Sequence, residues 1–274
     1  MSKSEIDTGT KECLACEQDA VMVITLNRPE ARNALTSEML AGLARALDHA
    51  DSSSTVRAVV LTGAGNAFCA GGDVKSMAAR SFYENTGIDE RIHRQRLSQR
   101  NTAGRIYRLS KPVVAMLPGP AAGAGLSIAL SADLRTMAST AFITTAFARV
   151  GFSGDYGGTF FLSQLVGAGK AKELYFLSDR VPSDECLRLG IANFVHPPDG
   201  LEAQTLALAR RLAAGPPIAY HYMKENLNRA ASGADAMECL DLEVTHHAHT
   251  GLTEDHREAA KAFVEKREPV FKGR

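Results

Sequence analysis

The sequence lacks an excess of charge of either sign: thirty-one Lys and Arg residues face thirty-one Asp and Glu residues. No global field draws such a chain to nucleic acid or to an anionic membrane, so local sites must choose its partners. Its opening residues, MSKSEIDTGT, hold no apolar stretch. That predicts a chain without a secretory leader and with a cytoplasmic address. The most apolar stretch, residues 113–130, is interrupted by Pro118, Gly119, Pro120, Gly123 and Gly125. It predicts a buried strand, a tight turn and a helix start, and no membrane span. Cysteine is scarce and odd in number: Cys13, Cys16, Cys69, Cys186 and Cys239 are scattered, a poor disulfide framework suited to a reducing compartment. Neither a repeat of fixed period nor a low-complexity tract is present.

What is present is ordinary globular material. The 274 residues, 45% hydrophobic and 23% charged, fit one large domain, or a domain with an appendage, able to bury about three quarters of its unfolded surface. Apolar, partly β-branched runs at 21–26, 58–62, 113–117 and 134–138 have the length of strands buried on both faces. Between the first two, Met39, Leu40, Leu43, Ala44 and Leu47 fall on one helical face behind Thr36 or Ser37 as cap, a βαβ-like alternation. After about residue 200 only helical patterns remain, punctuated by Gly215-Pro216-Pro217, Ser232-Gly233 and Gly251. The prediction is an α/β core over 1–200 with a helical region over 201–274.

Several suggestive groupings carry little chemistry. Cys13 and Cys16 have zinc or redox spacing, but no second pair follows at zinc-site distance, so strand packing is the better reading. His246, His247 and His249 fan over more than one helix face and read as a solvated helix end, not a metal site. Gly167-Ala168-Gly169-Lys170 resembles a phosphate loop, yet Ala171 stands where its Ser or Thr belongs. From 91 to 111 every charged residue is basic, from Arg91 and Arg94 to Lys111. Such a run suits a solvated or subunit-facing helix, with a phosphate-contacting surface as the alternative.

Two glycine-rich turns, each after a buried strand, are the strongest signals. In the first, Phe68-Cys69-Ala70-Gly71-Gly72-Asp73-Val74, glycines permit a sharp turn and Asp73 can cap a following helix. In the second, Gly119-Pro120-Ala121-Ala122-Gly123-Ala124-Gly125, small residues leave N–H groups uncovered at a helix start, where the macrodipole favours negative charge. Convergence of the two would build an oxyanion hole; separately, they need only be tight packing.

With these motifs in order, the chain resembles the crotonase superfamily, the enoyl-CoA hydratase/isomerase family, over nearly its whole length. Residues 27–35, Asn-Arg-Pro-Glu-Ala-Arg-Asn-Ala-Leu, look like the family's first CoA-binding turn, and Asp133 like its structural aspartate. The resemblance implies a spiral of ββα turns with a C-terminal helical trimerisation region. It implies oxyanion donors at the N–H groups of Ala70 and Ala124, and substrate contacts from Arg28, Ala31, Ala70, Gly71, Asp73, Val74 and Gly123. It also implies that Phe263 and Lys266 reach CoA bound to a neighbouring subunit. Coenzyme A enters as part of the acyl-CoA substrate, with no separate cofactor or metal, and the partner is a further copy of the chain in a trimer or hexamer.

The family's hydratases carry two glutamates that hold and activate water, and here Ser127 and Phe147 stand at those places. Asp155, in Gly151-Phe152-Ser153-Gly154-Asp155-Tyr156-Gly157-Gly158, falls where the family's isomerases place a carboxylate. One carboxylate and an oxyanion hole suffice to shift a double bond from the 3 to the 2 position. Asp155 is the expected acid/base, with Phe147 and Phe152 expected to raise its pKa; capping of the next helix is its structural alternative. Weaker alternatives are hydration by another route, nucleophilic dehalogenation and an RNA-binding role for the basic run. The acyl group is left open, because its pocket wall falls in the weakly patterned stretch between Met77 and Ile106.

Overall fold

The computed structural model describes residues 4–73 and 87–274; Val74 and the start of the expected pocket wall, including Met77, lie outside the described residues. The four apolar runs form parallel strands: β3 (Val21–Leu26), β4 (Ala58–Gly63), β5 (Val113–Leu117) and β7 (Leu134–Ala138). All of β4 and β5 is buried, which is why they read as continuous apolar runs. Strands β1 (Ser4–Ile6) and β2 (Cys13–Gln18) add an antiparallel edge, and β10 (Phe194–His196) closes the other side in the order β1-β2-β3-β4-β5-β7-β10. A smaller sheet, β6 (Ala121–Ala122), β8 (Phe142–Thr144) and β9 (Val181–Pro182), lies apart from it. The chain returns alternately to the large and small sheets and winds as a spiral of ββα turns.

Helix α1 (Ser37–Ser52) starts where expected, with Thr36 Oγ1 accepting from Met39 N at 3.0 Å. It buries Met39, Leu43, Ala46, Leu47 and Ala50 against the sheet. Helices α2 (Ile88–Asn101) and α3 (Ala103–Arg108) carry the basic run, and α4 (Gly123–Leu130) is buried along its whole length. Helix α5 (Gly158–Leu177) is interrupted at Gly167, whose φ of 76° lies in the left-handed region. The suspected phosphate loop is this kink. After α6 (Ser183–Arg188) come α7 (Leu201–Ala213), α8 (Pro217–Ala231), α9 (Ala236–Gly251) and α10 (Glu254–Glu265).

Helix α7 lies on the large sheet against β3, β4, β5, β7 and β10, so within 201–274 only α8 to α10 extend away from it. Helix α8 is pinned by Lys224, which reaches the Asp133 carboxylate at 2.9 Å and the carbonyls of Ile106 and Lys111. Asp133 also accepts from Val113 N at 2.7 Å, joining α8 to the start of β5. His246 departs from the solvated-end expectation: it is buried, stacked 4.2 Å from Tyr222, with Nδ1 2.6 Å from Asn226 Oδ1. The chain end folds back, with Asp255 taking Lys272 N and Gly273 N and Arg57 reaching the Phe271 carbonyl. Among the described residues no helix is long and apolar enough to cross a membrane.

Candidate active site

The first motif is held by one buried side chain. Asn33 Nδ2 donates to the carbonyls of Ala64, Ala67 and Phe68, while its Oδ1 accepts from Arg28 N at 2.9 Å. The segment after β3 is thereby tied to the segment after β4. Arg32 and Asn33 both adopt left-handed φ, 50° and 56°, a strained geometry that these bonds hold in place. The Arg28 guanidinium lies 3.4 Å from Glu12 and 3.7 Å from Asp73, with Ala31 nearby at the end of a short helical turn. Thus the expected CoA contacts Arg28, Ala31, Gly71 and Asp73 share one rim.

The two glycine-rich turns converge. Phe68 N and Cys69 N donate to the Pro120 carbonyl, and Ala122 N returns a bond to the Cys69 carbonyl at 2.9 Å. A Cβ on Gly125 would lie 2.6 Å from Cys69 Sγ, and one on Gly71 would lie 2.8 Å from the Ala122 carbonyl and 3.4 Å from Ala124 N. Bare glycine backbone is what lets the turns meet. Gly123 and Ala124 open α4, whose start has no side-chain cap, so the first-turn donors point at the junction. The Ala70 N–H differs from the uncovered donor expected: it donates to the Arg32 carbonyl at 2.9 Å, a bond that an incoming oxygen must share or replace.

Asp155 stands in the loop before α5, whose Gly158 packs against Ser127 of α4. Its Oδ1 is shut off from solvent and has no hydrogen-bond partner among the described residues. Burial alone pushes its carboxyl up to about 6. It does not cap α5: Gly157 is the capping residue and only the Asp155 backbone carbonyl engages that turn, accepting from Gly158 N. Phe147 is buried, whereas Phe152 is about half exposed. The sequence reading missed Tyr175, twenty residues further on. Its ring stacks on Phe147, centroids 5.8 Å apart, and its hydroxyl and Ser127 Oγ both face Gly158. No motif marks this tyrosine, since only folding brings the end of α5 back to α4.

Phe263 and Lys266 are not brought to this site within the chain; Phe263 is 86% exposed on α10 and Lys266 ends that helix. Much of the basic run is engaged internally: Arg94 with Glu90, Arg105 with Asp48 and Asp51, and Lys111 with the carbonyls of Ala50 and Ser53. Residues 16–274 match the family described as Enoyl-CoA hydratase/isomerase.

The chain belongs to the enoyl-CoA hydratase/isomerase family. Two similar proteins are named for different reactions. The chain is 34% identical to the short-chain-enoyl-CoA hydratase of Clostridium acetobutylicum, covering 92% of this chain and 94% of the relative. It is 32% identical to the 1,2-epoxyphenylacetyl-CoA isomerase of Escherichia coli, covering 94% and 97%. The crystal structure of an enoyl-CoA hydratase from a Polaromonas species has a TM-score of 0.88 and 31% identity, over 94% of this chain and 99% of that one. The protein is therefore an enoyl-CoA hydratase/isomerase family enzyme with the crotonase fold, acting on acyl-CoA.

Proposed function

We propose that this family member is an isomerase that moves the double bond of a 3-enoyl-CoA to the 2 position, with Asp155 as its acid/base. The observation that carries the reading is the buried, unpartnered Asp155 carboxylate in the loop that packs on Ser127, with Ser127 and Phe147 where a hydratase would hold its glutamates. Asp155 takes a proton from C2, and the thioester oxygen of the resulting dienolate is held by the N–H groups of Ala70 and Ala124. Asp155 then returns the proton at C4, so the carboxylate is regenerated and no cofactor is consumed. Arg28, Ala31, Gly71, Asp73 and Gly123 form the CoA side of the cleft.

Phe263 and Lys266 contact CoA across a subunit boundary in a trimer or a dimer of trimers. Support comes from the exposed apolar residues of α8 to α10, among them Met223, Leu227, Leu240, Val244 and Phe263, which a partner copy would cover. The free thiols fit a cytoplasmic setting. The E. coli relative is named an isomerase, which supports an isomerase reading. A panel of 2-enoyl- and 3-enoyl-CoA thioesters, read by product mass and double-bond position, tests the assignment. Isomerisation of a 3-enoyl-CoA outpacing hydration of crotonyl-CoA is the expected result; the reverse order overturns it.

A further inference from the structure

The two places where a hydratase of this family carries its glutamates are both touched by one side chain. Tyr175 lays its ring parallel to Phe147, with 9° between the planes, and its hydroxyl lies across Gly158 from Ser127. Ser127 Oγ also lies 3.3 Å from the Gly123 carbonyl at the mouth of the second glycine turn. Gly158 closes the group from the other side: a Cβ there would collide with Ser127 Oγ and stand 2.6 Å from the Tyr175 hydroxyl oxygen. Next to Gly154 the Tyr175 ring edge is 3.1 Å from where a Cβ would be. The loop bearing Asp155 thus leaves bare backbone at 154 and 158, and the tyrosine fills the space.

We propose that Tyr175 sets the outcome of the reaction, its ring and hydroxyl occupying the room in which a hydratase would hold water, so that Asp155 meets the substrate without an activated water beside it. The proposal rests on the isomerase reading of the same site. Ser127 Oγ donates to the Gly123 carbonyl, so its proton is already engaged. Around Asp155 the titratable groups among the described residues are Tyr156 in its own loop, Tyr175 on α5 and, beyond Tyr156, Cys69 in the first glycine turn. Burial pushes each of these three up to about 12. They are neutral near pH 7, so exclusion of water, not a neighbouring charge, holds the Asp155 carboxyl up.

The test compares Tyr175→Val, which opens the space, with Tyr175→Phe, which keeps the ring, in the full chain. Asp155 is titrated without substrate by carboxylate infrared difference spectra, assigned with Asp155→Asn. In Tyr175→Val its midpoint should fall from about 6 toward the ordinary carboxylate range, and hydration of a 2-enoyl-CoA relative to isomerisation should rise about tenfold or more. Tyr175→Phe should keep both near the wild-type values. A folded Tyr175→Val with unchanged midpoint and unchanged product ratio overturns the proposal. Where that variant does not assemble, Tyr175→Leu is read in the same way. If the wild type isomerises no 3-enoyl-CoA, the isomerase reading falls, while the Asp155 midpoint in Tyr175→Val still decides whether Tyr175 keeps water out.

Discussion

At the scale of single residues, Asp155 decides most. A base must be ionised to act, so kcat/KM for isomerisation should rise with pH through a midpoint at about 6 and level off above it. Asp155→Asn keeps the shape and removes the base, and steady-state assays should show a loss of about 10² to 10⁴ in kcat with little change in product binding. The same carboxylate costs stability. Its pKa is raised on folding, from 3.8 to about 6, so the native state binds the proton more tightly than the unfolded chain. The penalty is absent below about pH 4, grows as pH climbs through that window, and reaches at most about 3 kcal/mol above it. Asp155→Asn should therefore melt higher than the wild type at pH 8 and equally at pH 4, measured by calorimetry at fixed protein concentration. Equal melting temperatures at both pH values would show that the carboxylate is not desolvated.

At the scale of elements, the site depends on how loops are fastened to one another. Asn33 is fully buried and bonds three carbonyls and one N–H from segments before β3's turn is complete and after β4 ends. Asn33→Ala leaves those groups without partners in a dry interior, a cost of about 1 to 3 kcal/mol per unsatisfied group before relaxation. Denaturant unfolding should show a loss of about 3 kcal/mol or more, and kcat should fall in the folded fraction, because the Arg32 carbonyl and the Ala70 N–H hang on the same turn. Normal stability in that variant would show the bonds to be replaceable by water. Strand runs and the α1 cap were legible beforehand because each is a local pattern. The role of Asn33 was not, since its three carbonyl partners lie more than thirty residues away.

At the scale of the whole molecule, α8 to α10 leave large apolar side chains on the surface, Phe263 and Leu252 more than 80% exposed. Light scattering at micromolar concentration should report a trimer or hexamer, and a catalytically active monomer would overturn both the assembly and the cross-subunit CoA contact. Phe263→Ala and Lys266→Ala should raise KM for acyl-CoA about tenfold while kcat for the chemical step changes little, if these residues bind the CoA body uniformly in ground and transition states. The histidines of α9 show how assembly of helices overrides local reading. His246 is taken into the α8–α9 seam by Tyr222 and Asn226, while its neighbours His247 and His249 stay outside.

The sequence by itself determined the buried strands, the capped first helix and the two glycine turns. Each is written in contiguous residues, through side-chain periodicity or through the absence of a Cβ where backbone must pass close to backbone. Only the tertiary structure decided that the turns meet, that the Ala70 N–H is held by Arg32, that Asp155 Oδ1 loses its solvent and that Tyr175 stacks on Phe147. These are consequences of desolvation and of contacts between segments far apart in the chain. No local pattern encodes them, because burial of a given atom is fixed by everything that packs around it.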